Sequence, residues 1–220
     1  MMIVKTNFFN KNSVELAQSL IGKMIYRKYN HLDLRAIIIE TEAYELNDEA
    51  SHASLGYSPK IKALYMTPGT IYMHFAHGQA SFGIHSRKNG GAVLIKSARI
   101  YPDDLDNSNV IETMQSLSLL CGGKKRSTDK LLTGQTILCK SLDLKVKDWS
   151  QKQFNNTFNI QNIDYEPQKI IATTRVGIPP NRDNGLLNRF IDYKYVRQSS
   201  KNPLTTRKKT NFILEDHWHD

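Results

Sequence analysis

The hydrophobic pattern of the 220-residue chain predicts a single mixed α+β domain rather than a doubly wound α/β sheet. Three observations lead to that class. Strand-like runs outnumber helical ones and are interrupted by helices irregularly, without a βαβαβ rhythm. No internal repeat, low-complexity tract or Pro/Ser-rich linker divides the chain. Hydrophobic residues make up 40% and charged residues 23%, a mixture that can bury a substantial core and excludes a disordered or fibrous protein.

The elements follow in order. Asn12 or Ser13 caps a first helix whose apolar positions Leu16, Ala17, Leu20 and Ile21 recur at helical spacing and which ends at Gly22. Residues 23–29 and 32–44 read as strands joined by an Asn30-His31 turn, the second containing the run Ala36-Ile37-Ile38-Ile39. A short helix is expected within residues 47–58, with Asp48 and Glu49 at its start, where the helix dipole favours negative charge. Residues 69–77 and 82–86 form the arms of a β-hairpin turning near Gly78-Gln79, and a Lys88-Asn89-Gly90-Gly91 turn leads into a buried strand over residues 92–98. Further helices are predicted over residues 108–121, stopping at Gly122-Gly123, and over residues 135–142, with late strands over 170–178 and 189–193. Residues 1–200 make up the domain, and residues 201–220, with a basic run at 205–210, are expected to be a mobile tail.

The chain carries 30 Lys and Arg against 21 Asp and Glu, a net charge of +9 that is unevenly placed. Residues 59–102 hold six bases and no acid, as do residues 193–210, whereas residues 39–49 hold five carboxylates and no base. Basic stretches flanking an acidic cluster suit a protein that grips a polyanion by its phosphates while presenting a carboxylate to it. No apolar run approaches the ~18 to 20 residues of a bilayer-spanning helix, and the first residues lack the apolar stretch of a secretory signal. A cytoplasmic protein without membrane contacts is therefore expected, nucleoid-associated if bacterial. Cys121 and Cys139 are too few for a disulfide framework or a four-ligand zinc site.

The most informative residues are Glu40, Glu42 and Tyr44 of ETEAY. Side chains alternate along a strand, so these share one face: two carboxylates and an aromatic. Alone, the motif reads more simply as an exposed strand end with solvated acids. It does not stand alone, because IETEAY (39–44), DEASH (48–52) and PGTIY (68–72) occur in succession. With them go FF and an ELAQSLIGK-like helix (8–9, 15–23), GGAVLIKSA ending at Ala98, and TRVGI (174–178). In these motifs the chain resembles the alkyladenine DNA glycosylase family, also called 3-methyladenine or methylpurine DNA glycosylases, over residues 8–193.

The resemblance implies a curved, mainly antiparallel sheet flanked by helices with a protruding hairpin. It implies monofunctional hydrolysis of the N-glycosidic bond of alkylated purines in double-stranded DNA after nucleotide flipping, without metal, cofactor or covalent lysine intermediate; a monomer is expected of such a DNA-scanning enzyme. It places the water-activating base at Glu42, a stacking aromatic at Tyr44, and His52 on the opposite wall of the pocket. The chemistry suits these residue types. An N3- or N7-alkylated purine is cationic and attracts an aromatic face by about 0.5 to 2 kcal/mol, and a carboxylate both deprotonates water and stabilises an oxocarbenium-like sugar.

The chain departs from the family in the hairpin. The wedge that fills the hole left by the extruded base falls on His77 where relatives have tyrosine, and His74 replaces a pocket tyrosine. The position of a base-screening asparagine falls on Ile84, and an expected arginine is Lys96. Arg87, Lys88, Lys96 and Arg175 are the candidate phosphate or charge contacts. Convergence of His74, His77 and His85 on a metal ion is disfavoured by strand geometry, and the terminal His217 and His219 read as tail. The alternatives are a non-catalytic damaged-DNA-binding relative of the same fold and a metal hydrolase built on the histidines.

Overall fold

The computed structural model describes residues 1–87, 89–182, 185–205 and 211–216. In chain order the elements are β1 (Met2–Ile3), α1 (Ser13–Leu20), β2 (Met24–Tyr29), β3 (Leu32–Tyr44), β4 (Ile71–Ala76), β5 (Gln79–His85) and β6 (Ala92–Ile100). There follow α2 (Ser108–Leu117), α3 (Gln135–Ser141), α4 (Val146–Trp149), β7 (Phe158–Asn162), β8 (Lys169–Thr173), β9 (Arg189–Asp192) and β10 (Phe212–Asp216). The strands form one open, antiparallel sheet in the order β1-β7-β2-β3-β6-β5-β4, with a branch in which β3 pairs β9, β9 pairs β8 and β8 pairs β10. The mixed α+β class is as the sequence predicts.

The Ile-rich strand sets this architecture. Residues 36–43 of β3 are buried without interruption, because β3 lies in the middle of the sheet and is covered by α1, whose Ala17 carbonyl accepts from the Thr41 hydroxyl at 2.9 Å. Helix α1 forms where expected: the Asn12 side chain accepts from Glu15 N–H, and Leu16, Ala17 and Leu20 point into the core with 0% exposure. Each such leucine contributes about 1.5 to 3 kcal/mol by leaving water. Along β3 the neighbour on one edge changes. β2 pairs residues 32–37, and β9 takes that edge at Glu40, Thr41 and Glu42, while β6 runs along the other edge from Ala36 to Tyr44. The sheet thus forks beside the ETEAY segment.

Several boundaries differ from the sequence reading. Residues 47–58 form no α-helix: Asp48 is buried against Arg175, and Ser51 caps a 3-10 turn at His52–Leu55. Helix α2 stops at Leu117, where the Ser118 hydroxyl bonds back to the Met114 carbonyl, and Gly122 adopts φ 76°. β8 ends at Thr173, leaving residues 174–178 as a loop. The hairpin turns at His77-Gly78, one residue earlier than expected. β7 escaped the sequence reading, since Asn159, Gln161 and Asn162 dilute its apolar alternation with residues depleted in strands. Within the segment read as a tail, residues 212–216 form β10 against β8; His217 and His219 lie outside the described residues.

Candidate active site

Glu42 lies at the fork, paired with Leu94 of β6 on one side and Arg189 of β9 on the other, and has no exposed surface. Its carboxylate is nonetheless ringed by polar partners. Oε1 accepts from the Val176 backbone N–H at 2.9 Å, and Oε2 accepts from the Tyr44 hydroxyl at 2.8 Å. The Lys96 ammonium stands 3.6 Å from Oε2. Lys96 arrives there through a β-bulge: Ser97 pairs with Glu40 and Ile95 with Thr41, so Lys96 has no partner in β3. An extra residue of this kind bends the strand and re-aims its side chain.

Tyr44 has one ring face occupied. The Arg175 guanidinium sits 4.6 Å from its centroid, held by the Ala43 carbonyl at 3.0 Å and by both carboxylate oxygens of Asp48. Burial, with the Glu42 carboxylate next, pushes the Tyr44 phenol well above its ordinary pKa, so it donates to Glu42 at any working pH. Glu40 has a separate set of partners: Ser97 Oγ at 2.6 Å, and Arg189 Nε, Ser200 N and Ser200 Oγ, each at 2.7 Å. Those contacts fasten the 199–201 segment to the sheet.

Above Tyr44 and Lys96 opens a cavity of about 570 Å³. It is bounded by His52, Tyr72 and His74, by the hairpin tip including His77, by residues 176–179, and by Arg182. The rings pack on one another: His74 stacks on Tyr72 with centroids 4.9 Å apart, His52 meets His74 edge-on at 4.6 Å, and His52 Nδ1 lies 2.7 Å from the Tyr72 hydroxyl. Burial, reinforced by His52, lowers the His74 pKa to about 3; burial and Arg182 lower that of His52. Both imidazoles are neutral at physiological pH, so the His52, Tyr72 and His74 rings present uncharged π surface to the cavity. A second depression, about 920 Å³ in volume, is bounded by Asn12, Glu45 and Arg87. Of the two carboxylates that line it, Glu15 and Glu45, the latter accepts from the backbone and hydroxyl of Ser13 at the start of α1, which gives it a structural role.

Residues 7–196 match the family model described as methylpurine-DNA glycosylase (MPG). The chain belongs to the methylpurine-DNA glycosylase family. It is 43% identical over 199 residues to a protein of Pseudomonas syringae pv. syringae (strain B728a), covering 90% of this chain and 89% of that relative. It is 39% identical over 198 residues to one from Pseudomonas aeruginosa (strain LESB58), covering 90% and 83%, and 28% identical over 218 residues to one from Prosthecochloris aestuarii (strain DSM 271 / SK 413), covering 95% and 97%. All three relatives carry the name "Putative 3-methyladenine DNA glycosylase".

Against this membership the structure brings Tyr44, His52, His74, His77 and Lys96 to one cavity, with Glu42 beneath its floor. Three of the described candidates, Ile84, Arg175 and Arg87, fall elsewhere. Ile84 is fully buried in the main hydrophobic core, and it is Gly83, facing the other side of β5, that borders the cavity. Arg175 is not at the surface where a phosphate would lie; its guanidinium is turned inward onto Tyr44 and Asp48. Arg87 is exposed beside the second depression, and Lys88 lies outside the described residues. His85 is buried with Nδ1 2.9 Å from the Gly91 carbonyl, away from His74 and His77. Sequence reasoning missed the Val176 N–H, the Asp48–Arg175 pair, Tyr72 and Arg182. TRVGI, DEASH and PGTIY flagged the first three segments, but a backbone donor and an inward ion pair leave no residue-type signal of their own. Among the described residues no helix is long and apolar enough to cross a membrane.

Proposed function

We propose that the chain hydrolyses the N-glycosidic bond of alkylated purines of the 3-methyladenine type in duplex DNA, after rotating the damaged nucleotide into the cavity above Tyr44 and Lys96. The observation that carries this reading is a carboxylate fixed by the Val176 N–H and the Tyr44 hydroxyl directly under a cavity walled by neutral aromatic rings. A flipped purine finds π surface on His74, Tyr72 and the free face of Tyr44, and a cationic lesion meets no charged imidazole there. Because Glu42 has no exposed surface, water reaches it as the Lys96 and Tyr44 side chains above it shift on loading of the nucleotide, and Glu42 takes its proton as the glycosidic bond lengthens. The same carboxylate faces the positive charge that develops on the sugar. Excision is hydrolytic, with no bond between enzyme and sugar in that step. The exposed bases Lys60, Lys62 and Arg87 hold the phosphates, His77 at the hairpin tip enters the gap in the stack, and the protein works as a monomer.

Glu42→Gln tests the reading. Release of 3-methyladenine from alkylated DNA is expected to fall about 10²- to 10⁴-fold, with affinity for the same duplex unchanged. Release at the wild-type rate would remove Glu42 from the mechanism, and a wild-type protein that binds the lesion without releasing base would make the chain a damage-binding relative instead.

A further inference from the structure

We propose that Gln135 is a positioning residue of the excision: its carboxamide oxygen draws the Lys96 ammonium off Glu42 when the cavity is loaded, and so opens the carboxylate to water. The proposal rests on the glycosylase reading of the same cavity and supplies the movement that this reading requires.

Two side chains that line the cavity, Tyr44 and Lys96, lie against the Glu42 carboxylate, which has no exposed surface. They are not held alike. Tyr44 donates to Oε2 at 2.8 Å and carries the Arg175 guanidinium 4.6 Å from its ring centroid. Lys96 meets the same oxygen only at 3.6 Å, beyond hydrogen-bond range, and its ammonium makes no hydrogen bond among the described residues. An ammonium with three donors and no acceptor, on a side chain only 9% exposed, is the looser of the two covers.

The missing acceptor borders the same cavity. Gln135 lines it beside Lys96, and its Oε1 is buried without a hydrogen-bond partner. The β-bulge in β6 brings the two residues together. Within the bulge both Ser97 and Lys96 turn toward the carboxylates of β3, Ser97 Oγ bonding Glu40 at 2.6 Å while Lys96 approaches Glu42. The Gly134 N–H donates to that same Ser97 Oγ at 3.0 Å, so Gln135, the first residue of α3, enters the cavity wall next to Lys96. Facing an ammonium, a carboxamide presents its oxygen. A buried acceptor without a partner lowers stability, and an apolar side chain of the same size would avoid that loss. A partner that arrives during the reaction accounts for Gln135, and Lys96 is a donor in the same cavity that lacks one.

Loading provides the push. A cationic purine, and then the positive charge developing on the sugar, face the ammonium inside the cavity, where like charges repel more strongly than in bulk water. Rotation about the side-chain bonds of Lys96 carries Nζ from Glu42 Oε2 to Gln135 Oε1. The place it leaves is the one the attacking water takes.

The first test measures single-turnover release of 3-methyladenine from duplex DNA, with full-length protein at saturating concentration. Gln135→Leu is expected to slow release about 10-fold, as the loss of one hydrogen bond to a charged group would. Its duplex affinity and melting temperature should stay at least at wild-type level, and Gln135→Glu, which keeps an acceptor, should restore the rate. A wild-type rate in Gln135→Leu, or no rescue by Gln135→Glu, overturns the proposal. So does a lower melting temperature of Gln135→Leu, which would make Gln135 structural. The movement itself is read from a crystal structure of the wild-type protein with a duplex carrying a cationic pyrrolidine in place of one deoxyribose. Lys96 Nζ within hydrogen-bond distance of Gln135 Oε1 is the expected result, and Lys96 still against Glu42 overturns the proposal. That readout needs no turnover, so a wild-type protein that releases no base overturns the glycosylase reading alone.

Discussion

On the proposed reading, His74 decides whether the pocket can accept a positively charged base. A protonated imidazole would repel one, but burial holds this ring neutral down to about pH 3. That neutrality has a cost in acid. In the unfolded chain a histidine protonates near pH 6.5, while the folded protein does not protonate His74 until about pH 3, so the unfolded state binds the extra proton between those values. This group's contribution therefore erodes stability by about 1.4 kcal/mol for each pH unit below 6.5, levelling off near pH 3. Urea unfolding of His74→Phe at pH 7 and pH 4.5 should show a smaller loss between the two pH values than wild type. An equal loss would mean that His74 is not the buried neutral group. ETEAY was legible at this scale because alternation along a strand places Glu42 and Tyr44 together. Lys96 was legible as a residue but not in its position, because a one-residue bulge leaves no mark in composition or period.

The hairpin and the ETEAY strand are where elements govern the site. His77 and Gly78 have φ 50° and φ 74°, the paired left-handed conformation of a two-residue hairpin turn. Asparagine tolerates that conformation better than most residues, so His77→Asn should preserve the turn while deleting the ring. If His77 is the wedge, lesion excision falls in His77→Asn with no loss of thermal stability, and His77→Tyr restores or exceeds wild-type excision; equal rates in all three proteins would reassign the wedge. Behind Tyr44, Asp48→Asn leaves the buried Arg175 guanidinium without its counter-charge, since the two are only 5% and 6% exposed. Removing one partner of such a pair costs about 3 to 5 kcal/mol, to be measured as a lower urea midpoint. A surface-like cost under 1 kcal/mol would contradict the inward placement. The helix expected at Asp48 did not form for this same reason: the carboxylate that marks a helix start in sequence is engaged by an arginine 127 positions away, and local rules do not see that partner.

Across the whole molecule, the fold class and most strands could be read from the chain because apolar runs such as residues 36–39 bury on both faces wherever they sit in the sheet. The order of strands could not, since β9 reaches β3 across about 150 residues, and the Glu40 network likewise joins Arg189 and Ser200 to ETEAY. Within the segment read as a loose tail, residues 212–216 are tied in too. β10 pairs along β8 up to Phe212 opposite Thr173, whose hydroxyl donates to the Asn211 carbonyl at 2.8 Å. Three residues beyond Thr173, the chain supplies the Val176 N–H to Glu42. β10 and the Glu42 carboxylate are therefore mechanically in series. Ending the chain at Thr205 should lower the turnover number of excision several-fold while the far-ultraviolet circular dichroism stays close to wild type; unaltered turnover would show that β8 holds the loop unaided. Fraying or protease trimming at the carboxyl terminus would then register first as a slower enzyme, well before it registered as an unfolded one.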